Sequence, residues 1–146
     1  MDEKGRVAIP GNLRAALEKN SAAKEIVVGR HPRHPCLMAR DLSADDELHA
    51  KMRARREAAE DAGTAFDEEA MRRISSVETA PFDSSGRFVI PPRFRSRSKI
   101  DKWALFVAES DSFAIWAPDA LLARDDIPMD LREDCEDLLA QRGVSL

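Results

Sequence analysis

The sequence predicts an α+β fold, mainly β with helices, built from two tandem copies of one small β unit. The first observation is a long-range repeat. Asp2-Glu3-Lys4-Gly5-Arg6-Val7-Ala8-Ile9-Pro10 returns 81 residues later as Asp83-Ser84-Ser85-Gly86-Arg87-Phe88-Val89-Ile90-Pro91, with Asp, Gly, Arg, Ile and Pro in the same frame. The second is that the likeness continues: Leu13-Arg14 answers Phe94-Arg95, and Lys24 to Asp41 matches Lys102 to Asp119 in length and pattern. There Ile26-Val27-Val28 faces Ala104-Leu105-Phe106, and Cys36-Leu37-Met38 faces Ala114-Ile115-Trp116. The third is that the stretches between and after the copies carry helical rather than strand periodicity. A period of this length signals a repeated structural unit.

The second copy is the fuller one. Ser76 to Phe82 is a short strand that Pro81 confines to an edge or an end. Asp83-Ser84-Ser85-Gly86 is turn chemistry, because Asp bonds nearby amides and Gly accepts positive φ. Arg87 to Ile90 resumes as a strand and stops at Pro91-Pro92. A helical turn through Phe94, Ser98 and Lys99 follows, then a hairpin of Trp103 to Ala108 and Phe113 to Ala117. The first copy runs the same course: a short helix at Leu13, Ala16 and Leu17, then strands at Ile26-Val27-Val28 and Cys36-Leu37-Met38. Only Met1 precedes its turn, so its first strand is missing and an edge is left open. Upstream residues, a trimmed start or another subunit would each account for that gap.

The linker opens at Ser43-x-x-Asp46, a capping-box-like start, with Leu48 and Met52 on one helical face. Gly63-Thr64 breaks this helix, and Phe66, Ala70 and Ile74 mark a second. From Asp130 a tail helix sets Leu131, Cys135, Leu138 and Leu139 along one side. Neither helical region is apolar enough to stand alone, so both pack on the β units or on neighbouring subunits. The expected organisation is therefore repeat 1 at 1–42, a helical linker at 43–75, repeat 2 at 76–119 and a helical tail at 120–146.

A chain of 146 residues with 43% hydrophobic residues holds one ordinary core, or two very small units sharing one. No signal peptide or membrane-length apolar run is visible, and Cys36 and Cys135, far apart in apolar surroundings, read as reduced core residues of a cytoplasmic protein. The net charge of −4 disfavours a polyanion partner until it is mapped along the chain. Residues 1–40 and 83–102 each carry +4, whereas 41–82 carry −5 and 103–146 carry −7. Both positive stretches contain the repeated turn, and clustering matters more than total charge for binding a polyanion.

The doubled D-x-x-G-R-x-x-I-P turn, each copy followed by Leu-Arg or Phe-Arg and a hairpin, resembles the MraZ family of bacterial transcriptional regulators. Pro35-Cys36-Leu37 and Phe113-Ala114-Ile115-Trp116 are similar to the family as well. The resemblance runs from Asp2 to about Asp119. It implies two SpoVT/AbrB-type swapped-hairpin domains forming a pseudo-dimer, and subunits assembled into a ring at the nucleoid. It also implies binding to direct repeats in the promoter of the division and cell-wall gene cluster. The matched positions are Asp2, Lys4, Gly5 and Arg6, then Asp83, Gly86 and Arg87. Ser85 stands where the first copy has Lys4, so the second turn has one positive charge fewer.

The residue chemistry points the same way. A glycine turn brings backbone amides and an arginine close to a phosphate or base edge, and a planar guanidinium donates two parallel hydrogen bonds. Arg6 and Arg87 are the expected DNA contacts and Lys4 a phosphate contact. Arg14, Arg93, Arg95 and Arg97 are candidates for backbone positioning, while Asp2, Gly5, Asp83 and Gly86 shape the turns. Asp and Arg four residues apart also suit an internal brace.

Other functions were weighed against double-stranded DNA. His31, His34 and Cys36, with Asp41 nearby, are metal-ligand types, but the paired spacing of a structural zinc site is missing and a solvated loop is expected. No catalytic serine, histidine and carboxylate grouping or phosphate loop stands out, so neither an enzyme nor a cofactor is expected. A protein-interaction or assembly module and an antitoxin-like AbrB regulator are the remaining alternatives.

Overall fold

Each repeated turn is followed by three residues of alternating character, too short to form a stable sheet alone, and the two copies solve this by pairing with one another. The computed structural model describes residues 1–20 and 22–145. Strand β1 (Arg6–Ala8) of the first copy pairs antiparallel with β5 (Arg87–Val89) of the second, in the register Arg6↔Val89, Val7↔Phe88 and Ala8↔Arg87.

The remaining strands are β2 (Glu25–Arg30), β3 (Leu37–Arg40), β4 (Val77–Pro81), β6 (Leu105–Glu109) and β7 (Ser112–Trp116). They form one antiparallel sheet in the order β4-β2-β3-β7-β6. Sequence equivalence and strand register together define a pseudo-twofold relation. Val7 and Phe88 occupy the same place in the repeat and pair with each other; so do Leu37 and Ile115 in the β3–β7 pairing. The four side chains are buried in one core with Ile9, Ile26, Phe82 and Ile90. Each such burial contributes roughly 1.5–3 kcal/mol.

The relation ends at one edge. Phe82 donates its amide to the Lys24 carbonyl as β4 meets β2, and the Met1 amino group donates to Lys102 at the equivalent place. Beyond that bond β6 has no outer neighbour among the described residues.

Helices complete an α+β fold. They are α1 (Gly11–Asn20), α2 (Leu42–Ala62), α3 (Glu68–Ser75), α4 (Pro92–Ser98), α5 (Pro118–Leu122) and α6 (Met129–Gln141). The cap of α2 differs from the expected one: Asp41, not Ser43, precedes the helix, its Oδ1 accepting the Ala44 amide at 2.7 Å. A carboxylate is the stronger acceptor and also favours the positive helix N-terminus. In α6, Leu131, Cys135 and Leu139 join a second core with Leu105, Trp116 and Leu121, but Leu138 is turned to solvent. Cys36 and Cys135 are free and buried, and burial pushes both thiols above their ordinary range. No helix among the described residues is long and apolar enough to cross a membrane.

A buried arginine ties the linker helices to the sheet. Arg40, at the end of β3, donates Nε and Nη2 to Asp45 Oδ1 of α2 at 2.9 and 2.6 Å, and Nη2 to the Ile74 carbonyl of α3 at 3.1 Å. Arg40→Ala would strand the Asp45 carboxylate and the Ile74 carbonyl. We expect a loss of about 3 kcal/mol in chemical denaturation; a change below about 0.5 kcal/mol, the range of an unremarkable surface substitution, would contradict this role.

Candidate nucleic-acid interface

The two repeated turns have the same internal wiring. In the first, Asp2 Oδ1 accepts the amides of Lys4 and Arg6 at 3.0 and 2.9 Å, and Oδ2 accepts Arg6 Nε at 2.7 Å. In the second, Asp83 Oδ1 accepts the amides of Ser85 and Arg87 at 2.9 Å each, and Oδ2 accepts Arg87 Nε at 2.9 Å. Gly5 and Gly86 hold φ of +75° and +74°, which an L side chain adopts only with strain. Their amides close the turns onto the Asp2 and Asp83 carbonyls at 3.0 and 2.9 Å.

One carboxylate therefore performs two tasks: it shapes the loop and aims the arginine. Because only Nε is engaged, the Nη1 and Nη2 groups of Arg6 and Arg87 have no protein acceptor among the described residues. The brace and the contact role are compatible, since they use different edges of the guanidinium.

Each turn is fastened by the opposite copy. Ile9 donates its amide to the Gly86 carbonyl at 2.8 Å, and Ile90 donates to the Gly5 carbonyl at 3.4 Å. The helical arginines cross over too. A Cβ added to Gly5 would meet Arg95 Nη1 at 2.9 Å, and one added to Gly86 would meet the Arg14 side chain at 2.7 Å. Arg95 thus lies over the first turn and Arg14 over the second, an exchange with no local signature in the sequence. Lys4 is exposed beside Arg6, and Ser85 stands in the corresponding place.

Arg93 and Arg97 belong to a different neighbourhood. Arg93 pairs with Glu78 at 2.6 Å, donates to the Val77 carbonyl and covers the Phe94 ring at 4.3 Å. Both arginines act electrostatically on Arg30, as do Arg72 and Arg73 of α3; burial first, and then this repulsion, lowers the Arg30 pKa. Arg73 also donates to the Pro32 carbonyl, and Glu69 pairs with Arg72 and Arg73. Sequence reasoning missed Arg30, Arg72 and Arg73, because they lie outside the repeated turn.

His31 is buried, contrary to the solvated loop expected for it. Its Nδ1 accepts the amides of Arg33 and His34 at 3.1 and 3.2 Å, and its Nε2 meets Glu109 Oε2 at 3.1 Å. One ring nitrogen thus holds the loop's own backbone and the other ties the loop to the end of β6. His34 stacks between His31 and Trp116, where burial lowers its pKa.

A duplicated β ribbon holding an Asp-braced arginine turn at each end defines a class of two-repeat proteins. No family model matches the chain. It is, however, 35% identical over 124 residues to the transcriptional regulator MraZ of Pseudomonas syringae pv. syringae (strain B728a), covering 82% of this chain and 76% of that protein. It is 31% identical over 122 residues, with the same coverage, to the transcriptional regulator MraZ of Pseudomonas putida (strain GB-1). The chain belongs to the MraZ family of transcriptional regulators.

The braces have a defined pH window. The hydrogen bond from the Arg6 amide is the leading cause that lowers the Asp2 pKa below its ordinary 3.8, and the Arg87 amide does the same for Asp83. A depressed carboxyl contributes its bonds fully above the ordinary value and loses them as pH falls through the lowered one. We expect the amide shifts of Arg6 and Arg87 to stay level between about pH 5 and 8 and to move only below about pH 4. A midpoint near pH 6 would contradict the carboxylate brace.

Proposed function

We propose that the protein is a sequence-specific regulator that binds double-stranded DNA through the two Asp-aimed arginines. The observation that carries this reading is their common placement. Arg6, Ala8, Arg87 and Val89 share one face of the ribbon by strand alternation and register. Strand rise and spacing put Arg6 and Arg87 about 8 Å apart along that face, a span of two to three base steps. A two-stranded ribbon fits the major groove, where a bidentate arginine takes guanine O6 and N7. Arg14, Arg95 and Lys4 flank the turns as phosphate contacts, and Arg93 and Arg97 extend the positive surface away from them.

In this reading the regulator acts without enzymatic chemistry or a cofactor. It works at the nucleoid in the cytoplasm, on repeated promoter sites of the division and cell-wall gene cluster. One subunit offers few contacts, so a ring of identical subunits engaging successive repeats supplies the affinity. Linked engagement raises avidity by roughly 10²–10⁴ where the geometry permits.

A second reading, a protein-interaction or assembly module, is favoured by a cleft of about 1080 Å³ between the linker helices and the sheet. Met38, Leu48, Met52, Phe66 and Ile74 line it. The two readings separate in one experiment: titration of DNA from upstream of the protein's own gene at several salt concentrations, beside the Arg6→Ala plus Arg87→Ala variant. We expect log K to fall by about 0.9 per neutralised phosphate for each unit of log salt. The variant should lose about 1–3 kcal/mol per arginine while keeping its oligomer size. Salt-insensitive binding, or a variant that binds as well as the parent, would leave the assembly reading.

A further inference from the structure

We propose that the outer face of the β1–β5 ribbon is itself a base-reading surface, on which Val89, aided by Ala8, contacts thymine methyl groups between the two arginines. The inference rests on the DNA reading above and adds the residues that would distinguish A·T from G·C steps.

The ribbon has two faces of opposite character. Val7 and Phe88 point inward and are 5% and 1% exposed, whereas Val89, the next residue after Phe88 and so on the opposite face, is 48% exposed. Among the described residues Val89 is one of three large apolar side chains in the open; the other two, Met129 and Leu138, lie on α6. Its cross-strand partner is Arg6, and Ala8 is the cross-strand partner of Arg87. The face is thus a diagonal of two guanidiniums interrupted by a diagonal of two small apolar groups. The carboxylates that brace the two arginines, Asp2 and Asp83, are already occupied by Nε and by backbone amides.

That pattern matches the chemistry of one groove. In the major groove guanine offers two acceptors and thymine offers a C5 methyl group, the single apolar feature there; the minor groove offers no methyl. Arginines held by Nε and aimed outward suit the first, and exposed aliphatic groups on the same plane suit the second. The two halves are unequal, because Val89 carries two γ-methyl groups where Ala8 ends at its β-carbon. Thymine preference is therefore strongest within a base step or two of the base taken by Arg6.

The test uses the full-length chain and duplexes selected by it from a randomised pool. Each thymine is replaced in turn by deoxyuridine, which removes only the methyl group. We expect at least one position where the parent protein loses affinity roughly three- to fivefold, the value of one buried methyl. Val89→Ala should bind the deoxyuridine duplex as the parent does, with an unchanged salt slope, and should no longer gain from the methyl. That unchanged affinity also reports a correctly folded variant. Failure of the parent to select or bind any duplex overturns the DNA reading and this proposal together. Selective binding with no thymine–deoxyuridine difference at any position overturns the proposal alone. So does a Val89→Ala variant that retains the difference.

Discussion

Everything in this molecule depends on two short strands that cannot exist alone. Val7 in one copy and Phe88 in the other are equivalent residues paired across the pseudo-twofold relation, and Leu37 and Ile115 repeat the arrangement in the larger sheet. All four are buried in the same core. A three-residue strand offers too few ladder bonds and too little apolar area to be stable in isolation. Burying the equivalent side chains against each other gives both copies a core at once. The consequence for function is geometric. The turns that precede β1 and β5 are carried to the two ends of one ribbon, and each is tied to the opposite copy by the bonds from Ile9 and Ile90.

Within each turn the division of labour rests on the three-nitrogen guanidinium. The aspartate takes Nε and two backbone amides, which fixes the side chain and leaves the terminal nitrogens outward. Pre-organisation of this kind reduces the ordering that binding would otherwise require. Exposed Asp–Arg pairs contribute little to folding stability, so their occurrence at equivalent positions is better understood through the direction they impose on the arginine. The overall negative charge of the chain is no obstacle, because the acidic residues are concentrated in the linker and the tail while the turns keep their positive surroundings.

Much of this was legible in the sequence, and the parts that were not have a common cause. The repeat exposed the turns, their shaping residues and the order of strands, because Asp, Gly and Pro act on their immediate neighbours. The end of α2 at Gly63 was visible for the same reason. Contacts between copies carry no such local mark. Nothing near Arg14 indicates that it lies over Gly86, or near Arg95 that it lies over Gly5; both follow from the exchange of strands. The arginine grouping around Arg30 assembles from a strand end, a linker helix and α4, segments far apart in the chain. At α2 the local rule itself misled, since Ser43 and Asp41 are both acceptable caps and the carboxylate two residues earlier prevailed.

The most direct test of the account is nitrogen-15 spectroscopy of the Arg6 and Arg87 side chains, free and with duplex DNA. The account predicts that the Nε–H signals are protected and sharp in the free protein and change little on binding, because the aspartates hold them throughout. The Nη signals, averaged in the free protein, should separate and shift as they take acceptors on the duplex. Nε–H signals that exchange freely before DNA is added, or Nη signals that remain averaged in a saturated complex, would contradict the central claim that one edge of each arginine is braced so that the other can read.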